Sequence, residues 1–294
     1  MLMSNISIGC GQLTWPRETA REQVLQEIAQ AGYDGAPASP SMGTPEKVLD
    51  LYATYGLKPA PGYLSGNFWK KEELASILER AEMQAKFSQA VGCTELYLGP
   101  GGFEGYVTSR GLNRRQTSGH VLESDMMTDA EFSQFATAVN KVGEIALAHG
   151  VRCCFHNHVG SVIETRAEID RLFSMVDRSL VFQGPDIGHL VWAGADPVAF
   201  CQDYAHDIIS VHIKDIHLEV LAQGVEREWD YGAFSKHGIF AELGEGCVDF
   251  PAIFKVLASA NYAGWIIVET DVTQKATALE SAVISRRYLK NLGY

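Results

Sequence analysis

The sequence predicts an α/β protein built as a single (β/α)8 barrel spanning residues 1–294. Three observations lead there. Apolar runs and helix-like stretches alternate eight times, with no composition break or linker that would divide the chain. Imidazole and carboxylate side chains gather immediately after the apolar runs and not before them, as they do where the C-terminal ends of barrel strands line one mouth. Hydrophobic residues make up 46% of the chain and charged residues 20%, so one large core can be buried.

The elements are taken in order. Ile6 to Cys10 is a first strand, and Arg17 to Ala31 places Val24, Leu25 and Ile28 on one helical face before Gly32 stops it. Tyr33 to Ala38 is a weak second strand, followed by a helix from Thr44, whose hydroxyl caps ahead of Pro45. Leu57 to Gly62 is a third strand interrupted by Pro59 and Pro61, and Lys71 to Val91 is a long amphipathic helix. Glu95 to Leu98 is the fourth strand and ends in Gly99-Pro-Gly-Gly102. Residues 103–127 show no period; so long an insertion is a lid or binding loop, a partly disordered segment or a solvated surface excursion. A helix from Thr128 to His149 leads to the fifth strand, Val151 to Phe155, which ends in His156-Asn-His158. A helix from Thr165 to Val176 leads to the sixth, Leu180 to Phe182, which ends in Gly184-Pro-Asp-Ile-Gly-His-Leu190. Asp196-Pro197 starts another helix. Ile208 to Ile213 is the seventh strand, Trp265 to Val268 the eighth, and a closing helix carries Leu279, Val283 and Leu289.

Charge and composition exclude some functions. Lys plus Arg number 24 against 36 Asp plus Glu, so the net charge of −12 opposes binding to a nucleic-acid backbone. No apolar run approaches the roughly 20 residues that span a bilayer, and Met1-Leu-Met-Ser-Asn5 lacks a charged leader region. A soluble, cytoplasmic protein without membrane or nucleic-acid partners is expected. The six cysteines lack CxxC spacing and read as reduced, mostly buried thiols.

Six residues stand at the ends of the fifth to eighth strands: His156, His158, Asp186, His189, His212 and Glu269. Any one alone reads as a hydrogen-bonded core or rim residue. Four such strand ends in succession read as a metal site, and mixed nitrogen and oxygen donors suit Mn²⁺, Co²⁺, Zn²⁺ or Fe²⁺ better than Mg²⁺. Lys214 contacts a substrate oxygen or pairs with Asp215. Trp15, just past the first strand, joins His189 and Lys214 as an expected substrate contact.

Several motifs are shared with a known family. They are His156-Asn-His-Val-Gly160 with Glu164-Thr165, Asp186-Ile-Gly-His189 with Ala193-Gly-Ala-Asp-Pro197, and His212-Ile-Lys-Asp215. Glu219-Val-Leu-Ala222 and Gly238-Ile-Phe with Gly244-Glu-Gly-Cys-Val-Asp-Phe250 extend the set. On these residues the chain, from about Ser4 onward, resembles the xylose-isomerase-like (sugar phosphate isomerase/epimerase) TIM-barrel superfamily, and within it the inosose (2-keto-myo-inositol) dehydratases. The resemblance implies one divalent ion, Mn²⁺ or Co²⁺ first, held by Asp186, His212 and Glu269. The fourth position falls on His156, where many relatives carry Glu; Glu164 or water is the alternative. A second departure is Gly35-Ala-Pro-Ala38, which lacks the carboxylate of the Gly-Ile-Glu that relatives often show.

Enediolate chemistry on a sugar or cyclitol ketone, with the metal as Lewis acid, is implied by the same resemblance. Such an intermediate is epimerised, isomerised, or dehydrated by loss of a β-hydroxyl. His158 is the expected acid or base, and His189 orients substrate or acts as its partner. A hydro-lyase of inosose type is the leading expectation, with a ketose 3-epimerase or aldose–ketose isomerase as the alternative. The related barrel nucleases need histidines on the second and third strands, and Tyr33 to Gly62 has none. A sugar-binding barrel without catalysis is a further alternative. Residues 103–127 and 216–245 are expected as inserted loops near the mouth. The arginine-rich first loop and Phe68-Trp69 are candidates for capping substrate or for a homo-oligomer contact.

Overall fold

The computed structural model describes residues 5–294. The first four residues, part of the stretch read as lacking a leader, lie outside the described residues. The strands are β1 (Ile6–Cys10), β2 (Gly35–Pro37), β3 (Lys58–Ala60), β4 (Tyr63–Gly66), β5 (Glu95–Pro100), β6 (Arg152–Phe155), β7 (Val181–Gln183), β8 (Val211–Ile213), β9 (Asp215–Ile216), β10 (Phe240–Ala241) and β11 (Gly264–Val268). Parallel pairing runs β3-β2-β1-β11-β8 in one arc and β4-β5-β6-β7 in the other, while β9 and β10 form a separate antiparallel ribbon. Two seams close the barrel. At one, β3 and β4 are successive pieces of a single stave; at the other, isolated parallel bridges join Gln183 to Ile208 and Asp186 to His212.

The helices are α1 (Arg21–Ala31), α2 (Pro45–Thr54), α3 (Leu74–Ala90), α4 (Asp129–Ala148), α5 (Arg166–Phe173), α6 (Ile187–Trp192), α7 (Pro197–Asp203), α8 (Leu218–Glu226), α9 (Tyr231–Lys236), α10 (Phe250–Ser259) and α11 (Ala278–Asn291). Their starts reflect cap chemistry. Thr128 and Glu131 form a reciprocal capping box at α4, Thr165 and Glu168 another at α5, and the Thr44 hydroxyl accepts from the Lys47 N–H beside Pro45 at α2. Helix α1 begins at Arg21 and not Arg17, because the preceding residues form a turn in which the Thr19 N–H donates to Pro16 O at 2.9 Å.

The third strand is broken where the prolines stand. Pro61 has no N–H for the ladder, and at Gly62 a Cβ would sit 2.2 Å from the Ala38 carbonyl oxygen. Pairing moves from β2 to β5 across this gap, so the stave extends to Gly66, beyond the expected end.

Residues 103–127 are packed and not a solvated excursion. Arg114 is fully buried; its Nε donates to Ser161 O at 2.6 Å, Nη1 to Asp125 O at 3.0 Å, and Nη2 lies 3.1 Å from Glu168 Oε1. This holds the segment against the loop that carries His156 and His158. All six cysteines are free thiols, five of them buried. Among the described residues, no helix is long and apolar enough to cross a membrane.

Candidate active site

The site lies across the second seam. After β7 the chain turns and Asp186 becomes the N-cap of α6, its Oδ1 accepting the His189 N–H at 3.0 Å. Its Oδ2 meets no hydrogen-bond geometry among the described residues and lies 3.3 Å from the Lys214 ammonium. Asn157 fixes the backbone there: its Oδ1 accepts the Asp186 N–H at 3.0 Å and its Nδ2 donates to Asp186 O at 3.2 Å. Gly188 lets α6 settle onto the end of β8, since a Cβ would lie 2.6 Å from Lys214 Cβ.

His156 comes directly after β6, and His212 sits within β8 beside the Asp186 bridge. One donor atom from each of His156, Asp186 and His212 lies within 4.8 Å of the others, and all three residues are buried. Edge-on contacts with Tyr63 (5.0 Å) and Tyr97 (4.5 Å) hold the His156 and His212 rings respectively. Burial, with His212 nearby, pushes His156 well below the usual histidine range, so its imidazole is neutral and can donate a lone pair. Burial raises Asp186 while Lys214 and His212 pull it down. Glu269 lies at the edge of this group, its Oε2 3.2 Å from His212 Nδ1. Burial acts to raise Glu269, but His212 and Lys214 outweigh it and hold the carboxyl below its ordinary range.

A second layer lies against the first. Lys214 Nζ is 2.6 Å from Asp271 Oδ1, 3.3 Å from Asp186 Oδ2 and 3.6 Å from Glu269 Oε2. Burial opposes the ammonium charge, but these carboxylates prevail and keep it protonated. The ammonium also lies 3.2 Å from His189 Nε2; since it only donates, the His189 proton is placed on Nδ1, a buried atom without a partner among the described residues. The His158 ring packs against His189 at a tilt of 38°, with centroids 3.9 Å apart, and its Nδ1 is 2.7 Å from Val159 O. A carbonyl only accepts, so Nδ1 carries the proton and Nε2 keeps a lone pair. Burial and Lys214 lower His158 to about 4, leaving the ring neutral at pH 7.

A cavity of about 380 Å³ opens on this arrangement. His156, His158 and Glu269 line one side, and Leu13, Pro37, Tyr63, Pro100 and Phe103 line the other.

The family model described as xylose isomerase-like TIM barrel matches residues 25–292. The chain belongs to that family. This xylose isomerase-like barrel is 29% identical over 290 residues to an inosose dehydratase of Clostridium botulinum, covering 93% of this chain and 90% of that protein. It is 37% identical over 183 residues to an inosose dehydratase of Clostridium beijerinckii, covering 58% of this chain and 61% of that one. Solved structures of similar fold include an IOLI protein with a zinc atom (TM-score 0.71, 15% identity, 97% of each chain). A D-allulose 3-epimerase from Methylomonas sp. is also similar (TM-score 0.71, 16% identity, 99% of each chain). At such identities the likeness is one of fold.

The donor set of this family member fits a divalent ion. His156 Nδ1, His212 Nε2 and Asp186 Oδ2 are buried without hydrogen-bond partners among the described residues. One donor atom from each of the three lies within 4.8 Å of the others, a cluster that would close to about 4 Å or less between donors when each sits about 2 Å from one ion. Glu164, the alternative ligand, is placed elsewhere. Its Oε1 accepts the Gly119 N–H at 2.7 Å and its Oε2 the Gly160 N–H at 2.6 Å, so both oxygens serve backbone amides. Lys214 turns inward and does not pair with Asp215, whose carboxylate accepts the N–H groups of Ile216, Gly244, Gly246 and Val248. Trp15 does not line the cavity with the histidines; its indole N–H donates to Glu27 Oε2 at 2.7 Å, in a neighbouring cleft that Asp271 also lines.

Two residues of the site escaped sequence reasoning. Asp271, two residues past Glu269, bridges Lys214 and the Tyr231 hydroxyl (3.2 Å). Its strand-end position in Glu269-Thr-Asp271 was the available signal. Tyr231 comes from α9 inside the 216–245 segment and stacks on Trp192 at 5.0 Å, with the Arg115 guanidinium 4.6 Å above its ring. Nothing local in its sequence marks it.

Proposed function

We propose that this protein is a metal-dependent hydro-lyase acting on a cyclic keto-polyol of the inosose type. One structural observation carries the reading: a neutral His158, its Nε2 lone pair left free, lines the cavity beside the buried His156, Asp186 and His212 donors. The dehydratase names of relatives matched over most of their length support the choice among reactions. Mn²⁺ or Co²⁺ is the proposed ion, held by His156, Asp186 and His212 with Glu269 at the edge of the set. Bound there, it would supply Lewis acidity toward a ketone oxygen and its neighbouring hydroxyl.

The chain's own residues account for the proton movements. His158 takes the α-proton at Nε2. Burial and Lys214 make the resulting imidazolium a strong acid, suited to protonating the departing β-hydroxyl. Lys214 stays cationic and offsets negative charge that develops on substrate oxygens. His189, buried behind His158, acts on the polyol by fixing the His158 ring that lines the cavity. Asp271 and Tyr231 hold Lys214 in place.

The test is to incubate Mn²⁺-loaded protein with 2-keto-myo-inositol and monitor absorbance of the diketone product. Steady formation of diketone is expected. No diketone, with an epimerised or isomerised ketose in its place, would move the assignment to the ketose 3-epimerases or isomerases.

A further inference from the structure

The barrel mouth is divided into two unlike halves. His156, His158, Asp186, His212, Lys214, Glu269 and Asp271 all come after or belong to the neighbouring staves β6, β7, β8 and β11. The opposite staves, β1, β2, β4 and β5, end in residues 11–16, 38–44, 61–69 and 99–103, and these stretches contain no Asp, Glu, Lys, Arg or His. The cavity wall on that side is Leu13, Pro37, Tyr63, Pro100 and Phe103, with Gln12 and Ser65 between them.

Several polar groups bordering this half are already engaged within the protein. Gln12 Nε2 donates to Pro37 O at 2.7 Å, Thr14 Oγ1 to Thr270 O at 2.5 Å, and Asn67 Nδ2 to Glu73 at 3.0 Å. Ser65 and the Tyr63 hydroxyl supply hydrogen-bonding capacity there. The guanidinium of Arg115, which lies over Phe103, is paired with Glu104 at 2.8 Å. Arg21 borders an adjoining cleft and donates to Met42 O at 3.1 Å. Leu13, by contrast, is 63% exposed at the lip of the cavity.

A phosphate or carboxylate placed against this wall would lose water and find no cation among the residues that line the cavity; Arg17 and Arg21 line the adjoining cleft beyond Leu13. A fully hydroxylated edge would leave several hydroxyls poorly paired. Resting on the proposed keto-polyol chemistry, we infer that the substrate is uncharged and carries an apolar group, an O-methyl ether or a deoxy carbon, on the edge facing Leu13, Pro37, Pro100 and Phe103. The ionisable half takes the ketone and its neighbouring hydroxyl; the apolar half takes the substituted edge.

Calorimetric titration of the full Mn²⁺-loaded chain tests this with three probes: 2-keto-myo-inositol, its mono-O-methyl ether on the carbon opposite the ketone, and a phosphorylated ketose. Moving one methyl from water onto such a wall is worth a factor of about four in affinity. The ether is therefore expected to bind about fourfold or more tightly than the parent, and the phosphate ester to bind more weakly than both. The Leu13→Ser variant should lose most of the preference for the ether over the parent. Equal or tighter binding of the parent, an unchanged preference in Leu13→Ser, or tight binding of the phosphate ester would overturn the inference. If the parent is dehydrated rapidly and the ether rejected, the proposed reaction stands and this inference falls; if neither ketone binds or reacts, both fall.

Discussion

Glu164 offers a measurable link between pH and the inserted segment. Its carboxylate receives the Gly119 and Gly160 amides, so residues 103–127 are tied to the turn after His158. Burial raises its pKa from 4.5 to about 7, against the pull of Arg114 and of those amides. A carboxyl whose folded pKa exceeds its unfolded one contributes stability that is full below about 4.5 and lost as pH rises through about 7. At 1.36 kcal/mol per pKa unit, the difference amounts to roughly 3 kcal/mol. Glu164→Gln removes the titration and sets an amide group against one backbone N–H, which adds a loss of about 1–3 kcal/mol independent of pH. Urea unfolding of both proteins from pH 4.5 to 8 should show the wild-type advantage shrinking by roughly 3 kcal/mol across that window. Hydrogen exchange at Gly119 should be faster in the variant. Parallel stability profiles, or unchanged exchange at Gly119, would refute this account of the latch.

Asp186→Asn separates two roles, since Asn also caps helices well; the fold should persist, while the gain of about 2.7 kcal/mol expected for wild type at a hundredfold excess of Mn²⁺ over its Kd should vanish in urea unfolding. His158→Gln should lower diketone formation by about two to four orders of magnitude with Mn²⁺ binding by calorimetry retained. Arg114→Met leaves Glu168 buried without its cation and should cost about 3–5 kcal/mol in chemical denaturation. Lys214→Met should destabilise the metal-free protein by a similar amount, and added Mn²⁺ should recover more of that loss than it adds to wild type, because the ion replaces the missing positive charge.

Where the physics was local, the sequence was readable. Strand ends could be located because Val151 to Phe155 and Ile208 to Ile213 are apolar runs bounded by polar residues. Thr44-Pro45 and Thr128 marked helix starts through cap chemistry that spans three residues. The third stave was harder, because Pro59 and Pro61 obscure a segment whose true continuation at Tyr63–Gly66 is set by pairing with β5. Helix α6 was hidden inside an apolar run; six residues give too few turns to show a period. Of the site, His156, Asp186 and His212 were visible as strand-end donors. The work done by Glu164, Tyr231 and Asp271 was not, since each is defined by contacts with segments 30 or more residues away, Gly119, Asp271 and Lys214 among them.

Asp186 serves the fold with one oxygen and faces the donor cluster with the other. Its rotamer is therefore chosen during folding and not at the arrival of an ion. Freezing a free side chain on binding takes about 0.5–1.5 kcal/mol from affinity; here that loss is absorbed when α6 forms. The same arrangement limits substitution: Glu, one methylene longer, cannot keep both the cap and the donor position, so lengthening this carboxylate would detach metal capture from the start of the helix.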